Sequence, residues 1–232
     1  MAPDVRGRLS GSNTREERSA KGPQVAGRKR LRWMQIGMAA VAAGLLAIPA
    51  TSAANTQENL RTAARTAMSE HARYLLCARQ ADREGYGAVA SLFREAARSD
   101  SIEARNHLAA SAGPRGVTPA APSDMKVGTT RENLEAAIRA EAWEHDKLYP
   151  EFLHQAEKDG PAGAVRSFSL AKEASAERAY LFRQALTGLE ERKGSAHRVF
   201  YVCPVCGYVA DQPTFAYCPS CFTPKKQFEA VS

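Results

Sequence analysis

Outside its first 54 residues the chain has almost no net charge. Residues 1–54 hold nine Lys or Arg against three acids, which is +6 of the +7 total and leaves +1 for residues 55–232. The body therefore has no basic face to follow phosphates, and nucleic acid is excluded as a partner. Residues 1–27 lack apolar periodicity, are rich in Gly, Ser, Arg and Pro, and read as disordered. Cysteine is scarce. There are five in 232 residues, and only Cys77 precedes residue 200. Cys77 lies on an apolar helical stripe and reads as a small buried residue. The other four sit in a tail of about 30 residues, too short to build an apolar core of its own.

Arg28-Lys29-Arg30-Leu31-Arg32 precedes an apolar run, Trp33 to Ala54, which ends in Ala50-Thr51-Ser52-Ala53-Ala54. That layout is a secretory signal or, if uncut, a membrane anchor over residues 33–54. The basic patch stays cytoplasmic, so residues 55–232 are expected outside the cytoplasmic membrane of a bacterium, periplasmic or anchored.

The tail contains Cys203-Pro204-Val205-Cys206-Gly207 and Cys218-Pro219-Ser220-Cys221, two C-x-x-C pairs eleven residues apart. Each pair forms a turn that aims two thiolates at one ion, and two facing turns close a tetrahedral cage. Gly207 supplies the positive φ such a turn needs. Metal binding would supply the folding energy that the small core cannot. Zinc and iron both suit four thiolates, and two structural disulfides are the alternative for an exported chain. Backbone N–H groups at Gly207 and Tyr208 are placed to donate to the sulfurs. The loop Asp211–Tyr217 would cover the site, with Tyr208, Phe215 and Tyr217 limiting water.

Residues 55–195 read as helical. Four helices are expected at roughly 56–84, 86–111, 130–158 and 162–192, joined by Gly or Pro breaks. Asn55 to Glu58 and Thr129 to Glu132 read as capping boxes. Tyr74, Trp143 and Tyr149 read as core aromatics. The chain also repeats itself. Asn59-Leu60-x-x-Ala63 returns 74 residues on as Asn133-Leu134-x-x-Ala137. Glu84-Gly85 returns as Asp159-Gly160, and Phe93 as Phe168, both 75 residues on, so one residue is inserted between Ala137 and Asp159. Two duplicated helical hairpins give a four-helix bundle with an internal pseudo-twofold.

These features resemble the rubrerythrin branch of the ferritin-like proteins over residues 55–232. The resemblance is carried by Asn-Leu-x-x-Ala opening each hairpin, Glu84-Gly85-Tyr86, Glu141-Ala-Trp-Glu144-His-Asp-Lys-Leu-Tyr149-Pro150, and the tail Tyr-Cys-Pro-Ser-Cys-Phe-Thr-Pro-Lys with Phe228-Glu229. It implies an all-α ferritin-like four-helix bundle at 55–195 and a rubredoxin-like domain at 196–232, behind the basic and apolar segment 1–54. It also implies one redox-active iron at Cys203, Cys206, Cys218 and Cys221, with zinc as the alternative.

The family's bundle holds a diiron centre made of Glu and Glu-x-x-His ligands. This chain keeps the third-helix pair, Glu141 and Glu144. It has Ala67 in the first helix, Asp100 and Glu103 in the second, and Ser175 and Arg178 in the fourth. Glu70 is the repeat equivalent of Glu144. The acids Glu141, Glu144, Asp100, Glu103 and Glu70 could converge on iron, with Arg178 pointing a cation at them. His71, His107, His145, His154 and His197 occupy no family ligand position. The resemblance thus implies a non-haem iron protein with electron-transfer capacity, reducing peroxide if the bundle holds iron. The alternatives are an electron carrier or a zinc-ribbon interaction module whose bundle is a scaffold. A redox partner protein and a homodimer are expected.

Overall fold

Helix α1 runs from Ala50 to Arg83 and α2 from Gly87 to Ala110. The structure, a computed structural model, describes residues 50–112 and 125–232, with side chains from residue 55 onward. The disordered reading of residues 1–27 and the apolar run from Trp33 to Pro49 lie outside the described residues. Asn55 is not a cap, because α1 already begins at Ala50.

The third rod starts with α3, Thr130–Trp143, behind the expected capping box. The Glu132 backbone N–H donates to the Thr129 side chain, and the Thr129 N–H donates to Glu132 Oε2. A wide π turn, Glu144–Leu148, joins α3 to α4, Tyr149–Asp159. Its Tyr149 N–H reaches back five residues to the Glu144 carbonyl. Pro150 has no N–H for the Asp146 carbonyl and would crowd it in a regular helix, so the turn widens. This turn also absorbs the inserted residue. Glu70 and Glu144 are 74 apart, while Tyr74 and Tyr149 are 75 apart, so the insertion lies between 144 and 149.

The fourth rod, α5, spans Ala162–Thr187 and stops short of the expected 192. Gly188 ends it, and a short 3-10 turn follows at Glu190–Arg192. Both repeat glycines hold positive φ, Gly85 at 81° and Gly160 at 85°, which completes each helix end without a side-chain clash.

Two apolar clusters fill the bundle. One gathers the rings of Tyr74, Phe93 and Phe182 at 5.2–5.8 Å, with Leu134, Val89 and Leu189. The other gathers Tyr149, Phe152 and Phe168 around Leu60. Each buried Phe or Leu contributes about 1.5–3 kcal/mol. On α1, on the α3–α4 rod and on α5, the mid-helix acids and Arg178 fall between the stretches that feed the two clusters. The expected core aromatic Trp143 is instead 53% exposed.

Tail strands β1 (Phe200–Val202), β2 (Val209–Ala210) and β3 (Glu229–Val231) form an antiparallel sheet in the order β2-β1-β3. Phe200, Val202 and Val209 join the first bundle cluster, so the tail docks on the bundle rather than standing alone. Arg98 on α2 donates through Nε and Nη2 to both oxygens of Glu229, at 2.6 and 2.8 Å. Arg105 and Asn106 donate to the Pro204 and Val205 carbonyls at 2.6 and 2.8 Å. Among the described residues no helix is long and apolar enough to cross a membrane.

Candidate metal centres

Two matching turns build the tail site. In the first, the Cys203 N–H donates to the Tyr208 carbonyl at 2.8 Å and the Gly207 N–H to the Cys203 carbonyl at 2.9 Å. In the second, the Cys218 N–H donates to the Thr223 carbonyl at 2.8 Å and the Phe222 N–H to the Cys218 carbonyl at 3.0 Å. The positive-φ position is Gly207 at 82° in one turn and Phe222 at 61° in the other. The sequence signals the first through its glycine. Phe222 carries no such signal.

All four Sγ atoms lie within 4.8 Å of one another. Cys203 Sγ lies 3.5 Å from Cys221 Sγ, and Cys206 Sγ 3.6 Å from Cys218 Sγ. Disulfides need about 2.05 Å, and all five cysteines are free, so the disulfide alternative does not hold. Hydrogen bonds from the Cys206 and Cys218 thiols, then from the Cys206 and Val205 N–H groups, pull Cys203 far below its ordinary pKa. Its hydrogen bond with Cys203, helped by burial and opposed by Cys206, leaves Cys218 pushed up to about 12. Tyr208 N–H donates to Cys206, and Cys221 and Ser220 N–H groups donate to Cys218. Gly207 does not serve as a sulfur donor, because its N–H closes the turn. A cation in place of the shared protons would satisfy all four thiolates, so the cage fits a tetrahedral ion such as iron or zinc.

Leu170 of α5, Tyr208 and Phe228 pack against the buried cysteines. Phe215 bridges Tyr208 and Phe228, with ring centroids 6.1 and 5.6 Å away. Tyr217 does not shield the site, being 60% exposed. Cys221 is the one partly exposed ligand.

Arg178 is the centre of the bundle, with 0% exposure. Its Nε donates to Glu141 Oε1 at 2.8 Å, and its Nη1 donates to Glu103 Oε1 and to Ser99 Oγ, the latter at 2.7 Å. Its Nη2 donates to Ser175 Oγ at 3.2 Å and lies 3.4 Å from Asp100 and 3.7 Å from Glu144. Tyr74 O–H donates to Glu141 at 2.8 Å, Ser175 O–H to Glu144 at 3.0 Å, and Tyr149 O–H to Glu103 at 3.5 Å. Burial pushes Asp100, Glu103 and Glu144 up, and Arg178 partly offsets this in Asp100 and Glu103. Burial works against the charge on Arg178, but Glu103, Glu141 and Asp100 outweigh it and raise the pKa further.

Four of the five expected acids thus meet, and they meet on a guanidinium. Glu70 turns instead to Arg73, three residues along α1. No histidine enters the cluster; His107, for one, is held by Ser167 at 2.8 Å. Among the described residues, only the cysteines place three or more candidate ligand atoms within 4.8 Å of one another. With Arg178 in this position the bundle acids do not fit a metal pair.

The chain matches known proteins over most of its length. Residues 58–186 match the family model for rubrerythrin. Nigerythrin of Nitratidesulfovibrio vulgaris is 32% identical over 184 residues, 78% of this chain and 88% of that protein. Rubrerythrin-2 of Clostridium acetobutylicum is 32% identical over 185 residues, 76% of this chain and 97% of that one. A nigerythrin structure in its fully reduced, all-ferrous state superposes with a TM-score of 0.68 at 28% identity, covering 75% of this chain and 86% of the other. The family model spans the hairpin repeat, more than half of the chain, and by these matches the chain belongs to the rubrerythrin family.

Proposed function

We propose that the chain is a non-haem iron protein that carries single electrons at its four-cysteine site in the service of peroxide reduction, the activity the rubrerythrin resemblance implies. The observation that carries this is the closed cage of Cys203, Cys206, Cys218 and Cys221. Iron in four thiolates supplies a one-electron couple between its ferrous and ferric states. The chain's own part is to hold the four sulfurs close, stabilise their charge with backbone N–H groups, and leave Cys221 partly open toward a redox partner protein. The all-ferrous nigerythrin relative favours iron over zinc.

One reading puts peroxide reduction at a carboxylate iron centre, with Glu141, Glu144, Asp100, Glu103 and Glu70 as its candidate ligands. A second reading rests on Arg178, whose guanidinium fills that place and makes the bundle a scaffold. Peroxide consumption by the reduced full-length protein separates the two. Loss in both Cys206→Ser and the double variant Glu141→Ala/Glu144→Ala supports bundle chemistry. A wild type that accepts electrons but consumes no peroxide supports the scaffold.

Export of residues 55–232, suggested by a basic segment leading an apolar run, and a homodimer, suggested by a thin, Ala-rich bundle core, belong to the same proposal. A reporter fused after Ser232 that is active in the cytoplasm would remove the export claim. A monomeric mass by light scattering would remove the dimer.

A further inference from the structure

We propose that Arg178 is the resident cation of the bundle: its guanidinium replaces a metal pair, and the native bundle takes no divalent metal. The inference rests on the scaffold reading above and gives that reading a mechanism.

A guanidinium has five N–H donors and cannot be deprotonated in a protein. Here Nε–H is taken by Glu141, the two Nη1 donors by Ser99 and Glu103, and Nη2 by Ser175 with Asp100 and Glu144 beside it. The cation is satisfied within the protein and has no contact with solvent. A hard divalent ion would ask for the same oxygens. Glu141 Oε1 already accepts from Arg178 and Tyr74, Glu103 Oε1 from Arg178, and Glu144 Oε2 from Ser175. Among the acids that face Arg178, only Asp100 Oδ2 and Glu141 Oε2 stand buried and unpartnered, too few for a metal pair.

Substitution of one cation by the other also explains the two small side chains at this level. Where the family carries carboxylates, this chain has Ala67 and Ser175, both buried. Fewer acids match the smaller charge of a guanidinium, and Ser175 orients it by accepting from Nη2 while donating to Glu144. A divalent ion added beside Arg178 would meet a fixed positive charge a few ångströms away in a dry layer, where repulsion is least screened.

Mn2+ is the probe, because it prefers oxygen ligands and leaves the thiolate cage to zinc or iron. Full-length protein with its tail already loaded is titrated with Mn2+, and bound ion is read by electron paramagnetic resonance together with the thermal midpoint. The wild type is expected to bind none and to keep its midpoint, whereas Arg178→Ala is expected to bind Mn2+ and rise in midpoint. Glu144→Gln in the Arg178→Ala background should lose that binding. If Arg178→Ala does not fold, wild type and Glu144→Gln decide: no bound Mn2+ in either supports the inference. Bound Mn2+ in wild type that disappears in Glu144→Gln overturns it, whatever metal the cysteines prefer.

Discussion

Glu103 and Arg178 hold equivalent places in the two hairpins, 75 residues apart, and meet as a fully buried ion pair through Oε1 and Nη1. In a duplicated fold, identical charges at such a place would face each other near the pseudo-twofold. Opposite charges there join α2 to α5 and give the bundle a centre without a metal.

That pair should matter to stability. Arg178→Met leaves Glu103 and Glu141 buried without compensation, and breaking a buried pair this way costs about 3–5 kcal/mol. Urea unfolding of the full chain measures it. A loss under about 1 kcal/mol, as for an exposed pair, would contradict the buried-centre account.

The tail is tied to this centre by Ser99. Its hydroxyl accepts from Arg178 and donates to the Gly207 carbonyl at 2.7 Å, next to the ligand Cys206. Ser99→Ala should cost about 1–3 kcal/mol by stranding buried polar groups. Gly207→Ala should cost at least as much. Its φ is 82°, and a Cβ would lie 3.0 Å from Ser99 Oγ and 3.2 Å from the Ser99 carbonyl. Both are read by urea unfolding of metal-loaded protein, and an unchanged midpoint in Gly207→Ala would contradict the close contact.

Glu95 sets one pH dependence. It is fully buried with neither carboxyl oxygen partnered, and burial raises its pKa well above 4.5. The unfolded chain therefore releases this proton first as pH rises. Stability is lost from about pH 4.5 upward, by about 1.4 kcal/mol per pH unit, until the folded pKa is passed. Glu95→Gln keeps the shape without the proton, so its advantage over wild type in urea should grow from about pH 5 to about pH 8. Parallel pH profiles would count against it.

His107 works in the other direction. Burial lowers its pKa to about 3, and Ser167 meets its Nδ1 at 2.8 Å. Below the ordinary value of 6.5 the unfolded chain takes a proton that the native one refuses, so stability falls as pH falls toward about 3. His107→Gln should flatten the acid limb of the stability profile. An acid limb equal to that of wild type would remove His107 from the account.

Much of this was legible in the sequence. The C-x-x-C turns, the Thr129 capping box and the paired glycines are local devices, and local devices read directly. The inserted residue was also legible, but not that a π turn would take it up beside Pro150. Trp143, which closes α3 just before that turn, was expected in the core and is exposed. Glu70 went to Arg73 because a partner three residues away competes with a distant centre. Asn55 failed as a cap because the helix had already started. Nothing at Phe222 announces its positive φ, and Leu170, far off in sequence, took part of the shielding assigned to Tyr217.

The central claim is that the four cysteines hold iron as a one-electron site, and the visible spectrum of the purified full-length protein, with its metal content, tests it most directly. Ferric iron in four thiolates absorbs strongly by charge transfer, so a red protein that bleaches with dithionite is predicted, with Cys206→Ser colourless or altered. A colourless wild type carrying zinc in the cage after growth in iron-replete cells would contradict it.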